Sequence, residues 1–173
     1  VMTRRLFAFS AAAALCLLAA CTPKYNWRDY ASPDARYRVT FPAKPATFTR
    51  DINLDGMQVA MTMTAAEVDG ATFAVGAAEA PDAARAQAAL EAMQVALVRN
   101  IGATVTSQKT TVDNDDRATR DVDASGTSQG VPMRLVGHFE SRGKRFYQVI
   151  VLGKTQALPA EQVEQFLTSF KLH

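Results

Sequence analysis

Several groups of residues in this chain have types and spacings that could carry chemistry. One is a thiol, Cys21, set directly after Leu18-Ala19-Ala20. A second is Gly126-Thr127-Ser128-Gln129-Gly130, which has the Gly-x-Ser-x-Gly spacing of a nucleophile elbow. An elbow needs a strand before it, a helix after it, and a base and an acid within reach. Here Val131-Pro132-Met133 leads into a strand instead. Of the two histidines, His138 lies in that strand with no acid between it and Ser128, and His173 is the last residue of the sequence. Ser125 to Gly130 therefore reads as a polar hairpin loop. Asp113-Asn114-Asp115-Asp116 invites calcium, but the sixth and twelfth positions of an EF-hand loop, glycine and glutamate, are Ala118 and Ala124 here. These four residues read as a solvated turn. Met57, Met61 and Met63 are soft donors of the kind Cu(I) takes; at alternate strand positions, with no cysteine or histidine nearby, they read as core filling. His138 with Glu140 could act as a base or hold a metal, but one histidine and one acid are too few for either. Arg142, Lys144 and Arg145 cluster on a hairpin tip, as a solvated turn or a contact for anionic lipid headgroups. No catalytic residue, metal ligand or cofactor site is named on these grounds, and the chain is expected not to be an enzyme.

The thiol has the strongest context. Arg4 and Arg5 precede an apolar run from Leu6 to Ala20, which ends in small residues. A charged start, a short apolar stretch and a small-residue cut site make a secretory signal. The run is shorter than the roughly 20 residues of a spanning helix. Leu18-Ala19-Ala20-Cys21 resembles the lipobox of a bacterial lipoprotein, Leu-Ala-(Ala/Gly)-Cys. That resemblance implies cleavage between Ala20 and Cys21 and lipidation of Cys21. Cys16 falls inside the removed segment, so Cys21 would be alone, and a lone thiol is a liability in an oxidising compartment. One acyl chain anchors only marginally; the two or three chains of a lipoprotein anchor stably. Thr22 in place of aspartate weakly favours the outer membrane over the inner under the family's sorting rule. The expected organisation is a signal peptide at 1–20, a lipidated tether at 21–26 and one globular domain at 27–173. The tether could reach about 20 Å when extended.

Composition bounds the remainder. The formal net charge of +2 comes from 19 basic and 17 acidic residues. Losing Arg4 and Arg5 with the signal balances the two signs, which removes the electrostatic case for nucleic acid. The length fits one domain with one good core.

Positioning these groups falls to a run of strands broken by two helices. Trp27 to Tyr30 reads as a short first strand, Ser32 to Ala35 as a turn and Tyr37 to Phe41 as an alternating strand. Phe48 to Leu54 and Met57 to Thr64 form a hairpin about Asp55-Gly56, a pair suited to a two-residue turn. Met57, Val59, Met61 and Met63 share one face. After Asp69-Gly70 comes Ala71 to Ala78, whose small residues predict a close neighbour above it. Pro81-Asp82 opens a helix with Ala86, Leu90, Met93, Leu97 and Ile101 on one stripe, and Gln87, Glu91 and Gln94 elsewhere. Asn100 and Gly102 end it. Ala103 to Val112, Arg117 to Ala124, Met133 to Glu140 and Arg145 to Leu152 follow as strands. The last is apolar on both faces and so central. Pro159 opens a final helix bearing Val163, Phe166, Leu167 and Phe170. This order predicts α+β: an antiparallel sheet built from hairpins with one helix on each face, an α/β/α sandwich.

Tyr37-Arg38-Val39-Thr40-Phe41-Pro42, the mid-chain helix and Phe166-Leu167-Thr168-Ser169-Phe170 resemble the PsbP-like α/β/α sandwich, which includes bacterial envelope proteins of the DcrB kind. The resemblance covers roughly residues 27–172. Its members do unrelated jobs, so it implies a fold rather than an activity. The expected function is a lipid-anchored cell-envelope protein facing the periplasm, a non-enzymatic binding or assembly module. It would be held to the membrane through Cys21 and engage an envelope protein. A periplasmic carrier of a small ligand or metal is the alternative, and a hydrolase built on Ser128 ranks behind both.

Overall fold

The computed structural model describes residues 23–113 and 116–173. The expected signal, Ala20, Cys21, Thr22, Asn114 and Asp115 lie outside them. The elements are β1 (Arg28–Ser32), β2 (Tyr37–Phe41), β3 (Ala46–Leu54), β4 (Met57–Val68), β5 (Ala71–Glu79), α1 (Ala83–Asn100), β6 (Ala103–Asp113), β7 (Arg117–Ser128), β8 (Val131–Arg142), β9 (Arg145–Lys154), α2 (Ala160–Ser169) and β10 (Lys171–Leu172). Seven strands form one antiparallel sheet in the order β3-β4-β5-β9-β8-β7-β6, so β9 is its centre. The expected α+β sandwich is present, with one difference. β1 and β2 do not join the main sheet; with β10 they form a separate three-stranded sheet.

Each face of the large sheet carries its own core. α1 covers one face with Ala86, Ala89, Leu90 and Met93, over Met61, Met63, Leu135, Phe139, Phe146 and Ile150. α2 and the small sheet cover the other, where Tyr37, Val39, Phe41, Val163 and Phe166 meet Phe73, Val75, Tyr147, Val149 and Val151. Both faces of β9 are therefore buried, which explains its unbroken apolar sequence. The small residue at Gly76 of β5 makes room for its cross-strand neighbours within the sheet, not for an element above it: a Cβ there would lie 2.7 Å from the sulfur of Met63 on β4 and 2.8 Å from Cγ of Gln148 on β9. Gln94, expected off the buried stripe, is itself buried. It donates to Oε1 of Gln108 at 3.0 Å and accepts from Arg120 at 2.9 Å, which satisfies its amide between α1 and the strands below.

Asp82 caps α1 by accepting from the amide of Arg85 at 2.8 Å. Asp55 and Gly56 both have positive φ, 51° and 87°, as a two-residue hairpin turn demands. A Cβ on Gly56 would touch nothing within 4 Å, so a side chain there meets only backbone strain. Gly56→Val should cost about 1–2 kcal/mol and lower the melting temperature; an unchanged melt would mean that the turn readily takes another form.

Ser125 to Gly130 is not a loop. β7 runs on through Ser128, and only Gln129 and Gly130, with φ of 49° and 79°, make the turn. The strand persists because Gly126 lies against the backbone after α1; a Cβ there would be 2.6 Å from Cα of Ala103. Likewise Ser141 and Arg142 belong to β8, and the next turn is Gly143-Lys144.

The turns define two ends of the sheet. Asp69-Gly70 and Gln129-Gly130 lie at one end; Asp55-Gly56 and Gly143-Lys144 lie at the other. At ~3.3 Å per residue the length of β9 separates them by about 30 Å.

Candidate functional site

The second face of the sheet is apolar under α2 and polar beyond it. On β7 the outward residues are Arg117, Thr119, Asp121 and Asp123, and on β8 they are Arg134, Val136, His138, Glu140 and Arg142. The register sets Asp121 opposite His138 and Arg117 opposite Arg142. α2 ends and β10 begins beside this strip, and Leu167, Phe170 and Lys171 close a groove of ≈ 430 Å³ over it.

His138 sits at the floor of this groove. Its Nδ1 is 2.6 Å from Oδ1 of Asp121, and its Nε2 is 3.2 Å from Oε2 of Glu140. Glu140 is buried, and its other oxygen accepts from Nε of Arg117 at 2.7 Å. A neutral imidazole could donate to one carboxylate only; the doubly protonated ring donates to both. Burial pulls the His138 pKa down, yet the hydrogen bonds that Glu140 and Asp121 accept from the ring outweigh it and the net shift is upward. For Glu140, burial pushes up but the contacts with His138 and Arg117 prevail, and its pKa is lowered. Both shifts favour an imidazolium held between two carboxylates. Both ring nitrogens of His138 face carboxylate oxygens. Among the described residues, no group of three or more metal-ligating side chains is placed to hold an ion.

Sequence reasoning paired His138 with Glu140 and missed Asp121 and Arg117, which the fold supplies from the neighbouring strand. The alternation of charged and apolar residues along β7 was the available signal. Further along the same strip, Arg134 holds Asp123 in a two-point contact at 2.9 and 2.5 Å.

The other candidates stay apart. Ser128 is exposed at the end of β7, followed by a turn rather than a helix. It lies seven positions along the strand from Asp121, about 23 Å away. His173 is bonded through its amide to the carbonyl of Arg36, near the start of β2. Met61 and Met63 are buried in the α1 core with Met57 packed against it, and Met63 Sδ accepts from Gln148 at 3.5 Å. Asp113 ends β6 and the carbonyl of Asp116 accepts from the amide of Gly143 at 2.8 Å.

The segment before β1 is fastened to the domain. Lys24 pairs with Asp69 at 2.5 Å. Tyr25 stacks on Trp27 at 6.0 Å, and Trp27 meets the edge of Phe73 at 6.5 Å. The amide of Asn26 donates to the carbonyl of Pro42 at 2.8 Å. This places Lys24 at the Asp69-Gly70 end of the sheet, opposite Arg142, Lys144 and Arg145. Among the described residues, no helix is long and apolar enough to cross a membrane.

No family model matches the sequence, and no curated protein matches it. Among solved structures, the chain is similar to the solution structure of cyanobacterial PsbP (CyanoP) from Synechocystis sp. PCC 6803, with a TM-score of 0.52 and 9% sequence identity. The match covers 92% of this chain and 99% of the other. The fold is thus PsbP-like, as Tyr37 to Pro42 and Phe166 to Phe170 implied. Both motifs lie where Phe41 and Phe166 meet, at 5.4 Å between ring centroids.

Proposed function

We propose that this chain is a lipid-anchored envelope protein that faces the periplasm and acts as a non-enzymatic binding module. The observation that carries the reading is the fastening of Lys24, Tyr25 and Trp27 at one end of the sheet. Two residues, Thr22 and Pro23, separate Cys21 from Lys24, a reach of about 10 Å. A diacylglycerol on Cys21 would hold the Asp69-Gly70 end against the bilayer. The groove around His138 would then open well away from the lipid, where a partner can approach. The Thr22 signal favours the outer membrane.

On this geometry the Arg142-Lys144-Arg145 tip points away from the anchoring bilayer, so the short tether does not bring it to the headgroups. The exposed chemistry is suited to recognition. A groove with salt-bridged polar walls and an apolar rim has donors and shape to bind with, and its one imidazole is tied to two acids. Cys21→Ser should move the protein from the membrane fraction to the soluble fraction, and mass spectrometry of the wild-type N-terminus should find a lipidated Cys21. An unmodified Cys21, or a Cys21→Ser variant that still sediments with membranes, would refute the anchor.

A further inference from the structure

We infer that Arg142, Arg117 and Lys171 form a binding site for a phosphate-type oxyanion in the groove beside α2. The register of the sheet is the first observation. Arg117 on β7 lies directly opposite Arg142 on β8, and Arg142 directly opposite Arg145 on β9. Directly paired residues project to one face, so three arginines stand in a row on adjacent strands, whose backbones run ~4.8 Å apart. Like charges set opposite one another destabilise a sheet. Such a row is expected where something other than stability favours it.

The second observation is how the charges in the groove are already matched. Asp121 and Glu140 are the acids on its floor, and His138 and Arg117 engage both. Among the described residues, Arg142 and Lys171 have no ion-pair partner. Both are exposed, and both line the groove with Arg117. The internal acids are therefore spent, and the rim keeps an excess of positive charge. Arg145 and Lys144 lie beyond the groove, Arg145 opposite Glu79 of β5.

The chemistry of these groups selects the ligand. A guanidinium presents paired donors that match two oxygens of a phosphate or carboxylate, and an ammonium adds a point charge. Two arginines and a lysine converging on one groove suit a ligand with more than one negative oxygen, and Leu167 and Phe170 give an apolar wall to whatever carries it. A phosphate could arrive on a soluble molecule or on a lipid headgroup of a facing membrane; the site chemistry is the same.

This assignment deepens the binding reading above and rests on it, but does not depend on the anchor. The test is titration of the full chain with pyrophosphate at low ionic strength, followed by calorimetry. Saturable binding is expected, weakened at least about tenfold in Arg142→Gln and in Lys171→Gln because each loses a charge-assisted contact. Lys109→Gln, on the far edge strand β6, should bind as the wild type does. Without ligand, Arg142→Gln should melt no lower than wild type, since it relieves like-charge contact. Vesicles containing phosphatidylglycerol and vesicles of phosphatidylcholine alone separate the sources. Capture by the former only, reversed by pyrophosphate and lost in Arg142→Gln, identifies a headgroup. Pyrophosphate binding without capture identifies a soluble phosphate. Absence of pyrophosphate binding, or binding equal in wild type and both groove variants, overturns the site. Failure of the Cys21 experiments with pyrophosphate binding intact would remove the anchor and leave this site standing.

Discussion

Phe166→Ala should destabilise the domain by about 3–5 kcal/mol, the range for removing a fully buried phenylalanine. Phe166 has no exposed surface and is the point where three layers meet. Its ring lies 5.4 Å from Phe41 of the small sheet and 5.4 Å from Phe73 of the large one, edge-on to the latter. Truncation removes both aromatic contacts and leaves a cavity bounded by strands whose own pairing prevents collapse. For a domain of this size the melting temperature should fall by roughly 10 °C. Amide exchange should report the loss first in β1, β2 and β10, because the small sheet is joined to the large one chiefly through side chains. A loss below about 1 kcal/mol would show that α2 is not what binds the layers together.

The same residue illustrates what could be read from the sequence. The stripe Val163, Phe166 and Phe170 marked α2 as amphipathic, and the doubly apolar Phe146 to Leu152 marked a central strand. Both are local periodicities, and both fix burial directly. What periodicity does not encode is which sheet a strand joins. β2 alternates like any half-buried strand, yet it pairs with β1 and with β10, a strand of two residues that carries no period at all. The separate sheet was therefore invisible in the sequence.

The groove failed to appear for a related reason. His138 and Glu140 are neighbours in sequence, but Asp121 and Arg117 reach them only through register. Gly126 and Gly130 made Ser125 to Gly130 resemble a long loop. Counting outward from a two-residue turn at Gln129-Gly130 instead sets Asp121 opposite His138 and Arg117 opposite Arg142, the pairing observed. The turn length was the missing quantity. Gly126 concealed it, because its role is close contact with Ala103 rather than bending the chain.

Glu140→Leu tests the polar core of the groove through pH. Glu140 is buried and bonded to both Arg117 and His138. Its removal should cost about 1.5–3 kcal/mol near neutral pH, as for other hydrogen bonds to charged groups; Arg117 is 42% exposed along its side chain and regains water, which keeps the loss from rising further. The pH dependence identifies the cause. The pKa of His138 is raised in the folded protein from 6.5, so the folded state binds more protons than the unfolded one between those two values. Stability from this group is fully present below 6.5 and is lost as pH rises through the raised folded pKa. Glu140 behaves oppositely. Its folded pKa is lowered from 4.5, so its contribution is present above 4.5 and is lost as pH falls through the lowered value. The pair therefore stabilises most between about 4.5 and 6.5, the two unshifted values. In Glu140→Leu, only Asp121 still holds the imidazole, so the His138 resonance should titrate at lower pH than in wild type. Urea unfolding should also show a shallower fall in stability on the alkaline side. Equal His138 midpoints in the two proteins would show that Asp121 alone sets the charge of the ring and that Glu140 serves only Arg117.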